Sequence, residues 1–200
     1  KVFAGVNRDY GEIWWLYQSS DSNADVDRYV ILNVKSGSWS FGTMNRTVLV
    51  GNSDLFDMPY GVGNDAWPAG TGYTTGQEVS YFYWHENGID ADGAALDSYL
   101  ESGDFELDEH GNQFQHLGKY IPDFKTLYGN VSVTFYGRRY PQEADSDRTE
   151  SGPHNVTAQT KFHNPRMRAR QCSVRLETDA VGDTWRMGTL RLDLKPHGRR

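Results

Sequence analysis

No stretch of this sequence holds a helical period of about 3.6 residues over three turns, yet short runs of β-branched and aromatic residues recur along its whole length. Glu12-Ile13-Trp14-Trp15-Leu16-Tyr17 is a near-continuous apolar run, the pattern of a strand buried on both faces. The polar segment from Gln18 to Asp25 can bury nothing and reads as a loop, after which Arg28 to Val34 gives a second strand. Lys35-Ser36-Gly37 turns the chain into Ser38-Trp39-Ser40-Phe41-Gly42. The same grammar returns later: Glu78 to His85 is a strand, Glu86 to Gly93 a turn, and Leu96 to Leu100 continues until Gly103 breaks it before Phe105. The two passes share order and aromatic content, which points to a degenerate repeat separated by a Gly- and Pro-rich connection from Asn64 to Gly76. Asn130 to Gly137, Cys172 to Glu177 and Leu190 to Lys195 alternate with period two, and Pro141 to Pro153 reads as a long exposed loop. Asp90 to Leu100 is the one short helical candidate. The expected fold is all-β.

Within that class, a strand followed by a hairpin whose Gly turn presents Trp39 is the grammar of an antiparallel β-propeller blade. Composition agrees: 12 Tyr, 6 Trp, 9 Phe and 21 Gly in 200 residues suit pleated, half-buried surfaces and tight turns. Charge divides the chain. Residues 1–110 hold 5 Lys and Arg against 18 Asp and Glu, and residues 111–200 hold 15 against 9. We therefore expect propeller-type blades over 1–110 and a basic antiparallel region over 111–200 that closes or flanks them. A basic half can mark a nucleic-acid surface. Acidic and basic faces meeting between subunits, or plain solvation of strand faces, explain it more simply.

Chemical motifs were sought and not found. Asp90-Ala91-Asp92-Gly93 resembles a calcium loop, but Gly88 and Tyr99 stand where ligands are required, so an Asp/Gly turn is expected. The six histidines, His85, His110, His116, His154, His163 and His197, show no zinc-ligand spacing. Phosphate loops, nucleophile elbows and HExxH are absent from the sequence. The acids Asp104, Glu106, Asp108 and Glu109 read as a solvated strand edge rather than a glycosidase pair. The rows Trp14-Trp15 and Tyr81-Phe82-Tyr83-Trp84 could stack sugars, but packing between sheets is the simpler use. The lone Cys172 sits in an alternating strand and reads as core, without a disulfide. Asn45, Asn130 and Asn155 open glycosylation sequons that carry no weight without a secretion signal. No apolar run approaches the roughly 20 residues of a membrane helix, and Lys1 to Asn7 lacks the apolar core of a signal peptide. The chain enters mid-strand, so further N-terminal sequence is expected. Neither catalysis nor a cofactor is expected.

The end of the chain, from Met167-Arg168-Ala169-Arg170-Gln171-Cys172 through Gly182-Asp183-Thr184-Trp185-Arg186-Met187-Gly188 to Leu190-Arg191-Leu192-Asp193-Leu194-Lys195, resembles a family of tailed-phage structural proteins, the stabilisation and tail-tube (nozzle or hub) components. Further matching words are Asp27-Arg28-Tyr29-Val30 with Gly37-Ser38-Trp39-Ser40, Tyr99 to Phe105, Ile121-Pro122-Asp123-Phe124 and Arg138-Arg139-Tyr140-Pro141-Gln142. Cys172, His197 and the segment Gly51 to Tyr60 depart from the pattern. The resemblance implies a β-propeller subunit of a short podovirus-like tail, assembled in the host cytoplasm and carried in the virion. Six copies would form a ring below the portal and adaptor, holding the genome and passing DNA without sequence-specific binding or membrane insertion. A host-surface glycan-binding or depolymerising tail protein is the alternative. Trp39 and Trp185 are expected to pack structurally. Arg168, Arg170, Arg175, Arg186 and Arg191 are expected at subunit or intrachain contacts rather than on the channel, since strong phosphate contacts would add salt-dependent drag.

Overall fold

The computed structural model describes residues 1–20, 22, 26–66, 78–91, 93–106 and 112–198. The chain forms two compact units, Lys1–Gly88 and Ile89–Arg200. Both are built from antiparallel strands, and the one helical element among the described residues is a single 3-10 turn, Asp145–Asp147. All-β is the architecture that the residue pattern requires.

The first unit opens with β1 (Val2–Asn7), β2 (Glu12–Tyr17), β3 (Arg28–Asn33) and β4 (Trp39–Thr43), hydrogen-bonded in chain order as a meander. Gly11 and Gly37 supply the positive backbone angles of the turns after β1 and β3. A second meander follows: β5 (Val48–Val50), β6 (Tyr60–Ala66) and β7 (Glu78–Trp84). Leu49 of β5 packs on Trp14, Leu16, Val26 and Ile31, which form the core of this unit. The approach is close enough that a side-chain carbon on Gly5 would stand 2.7 Å from Leu49.

The second unit places β8 (Ser98–Glu101), β11 (Val131–Arg138), β12 (Thr149–Val156) and β14 (Gln171–Thr178) in one sheet of order β12-β11-β14-β8. Opposite lies β13 (Met167–Ala169), β9 (Gln115–Ile121) and β16 (Arg191–Pro196), in the order β13-β9-β16. The pair β10 (Phe124–Tyr128) and β15 (Thr184–Met187) prolongs that layer past a bend. At the bend Asp123 accepts a backbone hydrogen bond from Gly188 at 2.8 Å, and its carboxylate takes Arg191 at 2.9 Å. The layers share a core of Leu117, Tyr120, Val131, Val133, Phe135, Val156, Met167, Ala169, Cys172, Val174 and Leu176.

Four expectations need correction. The run at Leu96–Leu100 does not continue the strand at Glu78; β8 pairs with β14, while β7 pairs with β6. Gly61 and Gly63 lie within β6. Arg46 and His85 lie over Gly61, leaving no room for a larger side chain there. The expected connection from Asn64 begins as strand through Ala66, and its remainder lies outside the described residues. Pro141–Pro153 is not all loop, because β12 starts at Thr149. Pro153 is tolerated there since β12 is an edge strand whose register shifts against β11 beside it. Asp90–Leu100 is not helical: Asp90 accepts the backbone N–H of Gly93 at 3.0 Å, closing a turn.

The compact units also divide charge differently from the halves of the sequence. Residues 1–88 hold 5 Lys and Arg against 10 Asp and Glu, and residues 89–200 hold 15 against 17. The apparently basic half folds together with the acidic segment before it.

Candidate interaction surfaces

Strand register sorts the first meander into two faces. One carries the Gly5, Trp14, Ile31, Ser40 row and the Phe3, Leu16, Tyr29, Gly42 row, and it packs on Leu49. The other carries Ala4, Trp15, Val30 and Phe41 in one cross-strand row and Val6, Ile13, Leu32 and Trp39 in the next. That second face is apolar across four strands, and it is open: Trp39 is 61% exposed and Phe41 71%. Trp39 stacks on Trp15 at 5.9 Å, so the expected structural tryptophan stands on an outer face rather than in a core.

The second meander repeats the arrangement. Leu49, Gly61 and Tyr83 share the side facing the first sheet, together with Gly63 and Tyr81. The outward side carries Val50, Tyr60 and Trp84 in one row and Val48, Val62 and Phe82 in the other. Phe82 is 69% exposed and Trp84 55%, and Tyr60 lies 5.1 Å and 6.1 Å from their rings. Trp14 is consumed by packing as its alternation suggests, whereas Phe82 and Trp84 are not.

Between the sheets lies one polar pair. The guanidinium of Arg46 stacks over Tyr83 at 3.6 Å, and its Nε donates to His85 Nε2 at 3.1 Å. Burial and the neighbouring Arg46 charge hold His85 down at about 4, so it is the neutral acceptor near neutral pH.

The second unit is finished differently. On the outward side of its β12-β11-β14-β8 sheet, Arg175 pairs with Glu177 at 2.8 Å and Glu101 at 3.2 Å and stacks on Tyr99. Arg138 takes Asp104 at 2.9 Å and also reaches Asp145 and the Glu143 carbonyl. Arg148 stacks on Tyr136 and reaches Glu101 at 3.7 Å. Glu101 and Asp104 are thus ion-pair partners that clamp β8 and the segment after it, while Glu106 accepts from the Gln171 amide at 3.4 Å; Asp108 and Glu109 lie outside the described residues.

The remaining expected residues fall on the opposite layer. Trp185 packs against the main core and meets Phe124 edge-on at 6.2 Å. Arg191 pairs with Asp123 at the bend. Arg168 and Arg170 both stack on Phe114, at 4.1 Å and 4.5 Å, and donate to the His197 and Asn112 carbonyls respectively. Arg186 is exposed on β15. The structure therefore uses Arg175 and Arg191 in intrachain ion pairs and does not gather all five arginines into one patch.

Chemistry is sparse. Cys172 is buried, and burial pushes its thiol up to about 12, so it is not a nucleophile at neutral pH. The histidines meet in two pairs that spacing did not reveal, His154 with His163 at 5.1 Å and His116 with His197 at 5.7 Å; His110 lies outside the described residues. Among the described residues, no group of three His, Cys, Asp or Glu side chains could hold a metal. No helix among them is long and apolar enough to cross a membrane. No protein-family model matches this chain, and no curated protein matches it.

Proposed function

We propose that this chain belongs to a structural protein of a bacteriophage tail, in which propeller-type blades build a ring that retains and then passes genomic DNA. The observation that carries the reading is the first unit: two successive meanders stacked face to face, with both outer sides apolar and aromatic. A lone two-layer domain hides its apolar faces and wets the others. A stack that continues in both directions needs apolar surfaces on each side, as blades of a propeller do.

The size of the first outer face supports this. Summing its partly exposed side chains, at roughly 200 Å² for a fully exposed aromatic one, gives on the order of 500 Å², for one of two such faces. Monomers seldom expose contiguous apolar patches beyond roughly 300–600 Å². Catalysis finds no comparable support, since the buried thiol is inert. In this reading the chain acts as a homo-oligomer, a six-fold ring by the family resemblance, between portal or adaptor and other tail proteins. DNA moves through without sequence readout, in a virion assembled in the host cytoplasm.

Electron microscopy of the assembled protein tests this. A six-fold ring around an open channel is expected. A free monomer that binds host glycans through Tyr60, Phe82 and Trp84 would replace the conduit with the surface-binding alternative.

A further inference from the structure

The outward side of the β13-β9-β16 layer is rich in basic side chains. Arg168, His116 and Lys195 stand directly opposite one another on three adjacent strands, and His197 approaches His116 at 5.7 Å. Lys119 follows on the same side opposite Asp193, then Arg191, and the prolonged layer adds the exposed Arg186. Among the described residues this side also carries Lys195, Lys119, Arg191 and Arg186, beside the carboxylates of Asp193 and Asp123. Of these, Asp193 serves Lys195 at 3.3 Å and Asp123 serves Arg191.

The first unit carries the complement. The turn after β1 meets the connection between β5 and β6, where the Arg8 backbone N–H donates to Asn52 Oδ1 at 2.7 Å. The junction leaves a shallow open recess lined by Asp9, Asp54 and Asp57 with Asn52, Ser53 and Arg8. Asn52 is buried and anchors the recess, and the three aspartates are exposed.

We propose that the cationic side of the β13-β9-β16 layer in one copy docks on the Asp9–Asp54–Asp57 recess of a neighbouring copy, joining copies head to tail. The inference rests on the ring-forming reading above and names a contact that makes the ring. Two different patches that fit each other leave one of each free at every addition, which is the geometry of rings rather than two-fold dimers. A copy is favoured over nucleic acid for two reasons: the chain itself carries the acidic counterpart, and its net charge of -7 repels a polyanion. Exposed ion pairs of this kind set orientation and encounter rate and weaken as salt screens them.

Native mass spectrometry and sedimentation of the full chain, at low salt and at about 0.5 M salt, read the contact directly. Association at low salt that weakens at least tenfold at high salt is expected. Lys119→Glu with Lys195→Glu reverses the basic side, and Asp54→Lys with Asp57→Lys reverses the recess. Each double variant alone loses the salt-sensitive association, and mixing the two restores it at one to one. Arg186→Glu gives the same readout with a smaller loss should the lysine variant fold poorly. Association that ignores both reversals, a mixture no better than its parts, or a basic side that binds a DNA duplex while self-association is unchanged overturns the proposal. Salt-insensitive association through Trp39 and Phe41 would survive those outcomes, so failure here is separable from failure of the blade reading.

Discussion

The two units solve the same problem in opposite ways. Ile89–Arg200 encloses eleven buried apolar residues between two layers and turns interlocked arginine–carboxylate pairs outward on its β12-β11-β14-β8 side. Lys1–Gly88 encloses four and turns Trp39, Phe41, Phe82 and Trp84 outward. A sheet needs cover on whichever side is apolar, so the second unit is closed on that side and the first is built to be continued. The difference teaches where each kind of contact is expected to act: apolar contacts on the faces of the first unit, and charged contacts alone on the second.

Core truncation should separate the units most strongly. Phe135→Ala, at a fully buried site between two layers, is expected to cost about 3–5 kcal/mol in chemical denaturation. Leu49→Ala in the first unit should cost less, about 2 kcal/mol, because half-buried Leu49 is the main cover on a small cluster. Equal losses would mean that the first unit is as complete as the second.

Overpacking comes next. Gly5→Val places carbon against Leu49 where Gly5 leaves room, for an expected cost of about 1–3 kcal/mol, since the Leu49 side chain can shift in part. A neutral result in thermal unfolding would show that the two meanders are not tightly stacked.

Acid should then weaken the first unit through His85. Its folded value lies below the ordinary 6.5, so the unfolded chain binds the proton more readily. The stability it contributes is whole above about pH 6.5 and is lost as pH falls toward about 4. Replacing it, as His85→Gln, should flatten stability against pH in that window. Burial and His163 lower His154 in the second unit too, with loss in the same direction on acidification. The smallest stability change should come from Trp39→Ser with Phe41→Ser. Exposed sites change folding free energy by roughly 0.5 kcal/mol each. Their association through that face should nevertheless fall, as light scattering would report.

Much of this contrast could be read from residues alone. Alternation located β11, β14 and β16, and apolar or aromatic runs bounded by polar or turn-rich segments located β2, β3, β4 and β7. Alternation does not reach β6, where Gly61 and Gly63 interrupt the apolar pattern and make room for Arg46 and His85. It also failed at β8, whose partner β14 lies some seventy residues away and is chosen by pairing Glu101 with Arg175. Arginines along β13 to β16 read in sequence as one set of subunit or intrachain contacts, yet Arg175 belongs to a network on one layer while Arg168 and Arg191 belong to the other. Residue type told which side chains carry charge. Only pairing across the fold told which of them meet.

Oxidative footprinting of Trp39, Phe41, Phe82 and Trp84 in the assembled protein, against the isolated chain, is the most direct test of the contrast. Assembly should protect all four by tenfold or more and leave Tyr99, on the β12-β11-β14-β8 sheet of the second unit, labelled alike in both states. Labelling of the four that does not change on assembly would contradict a first unit made to be covered on both sides.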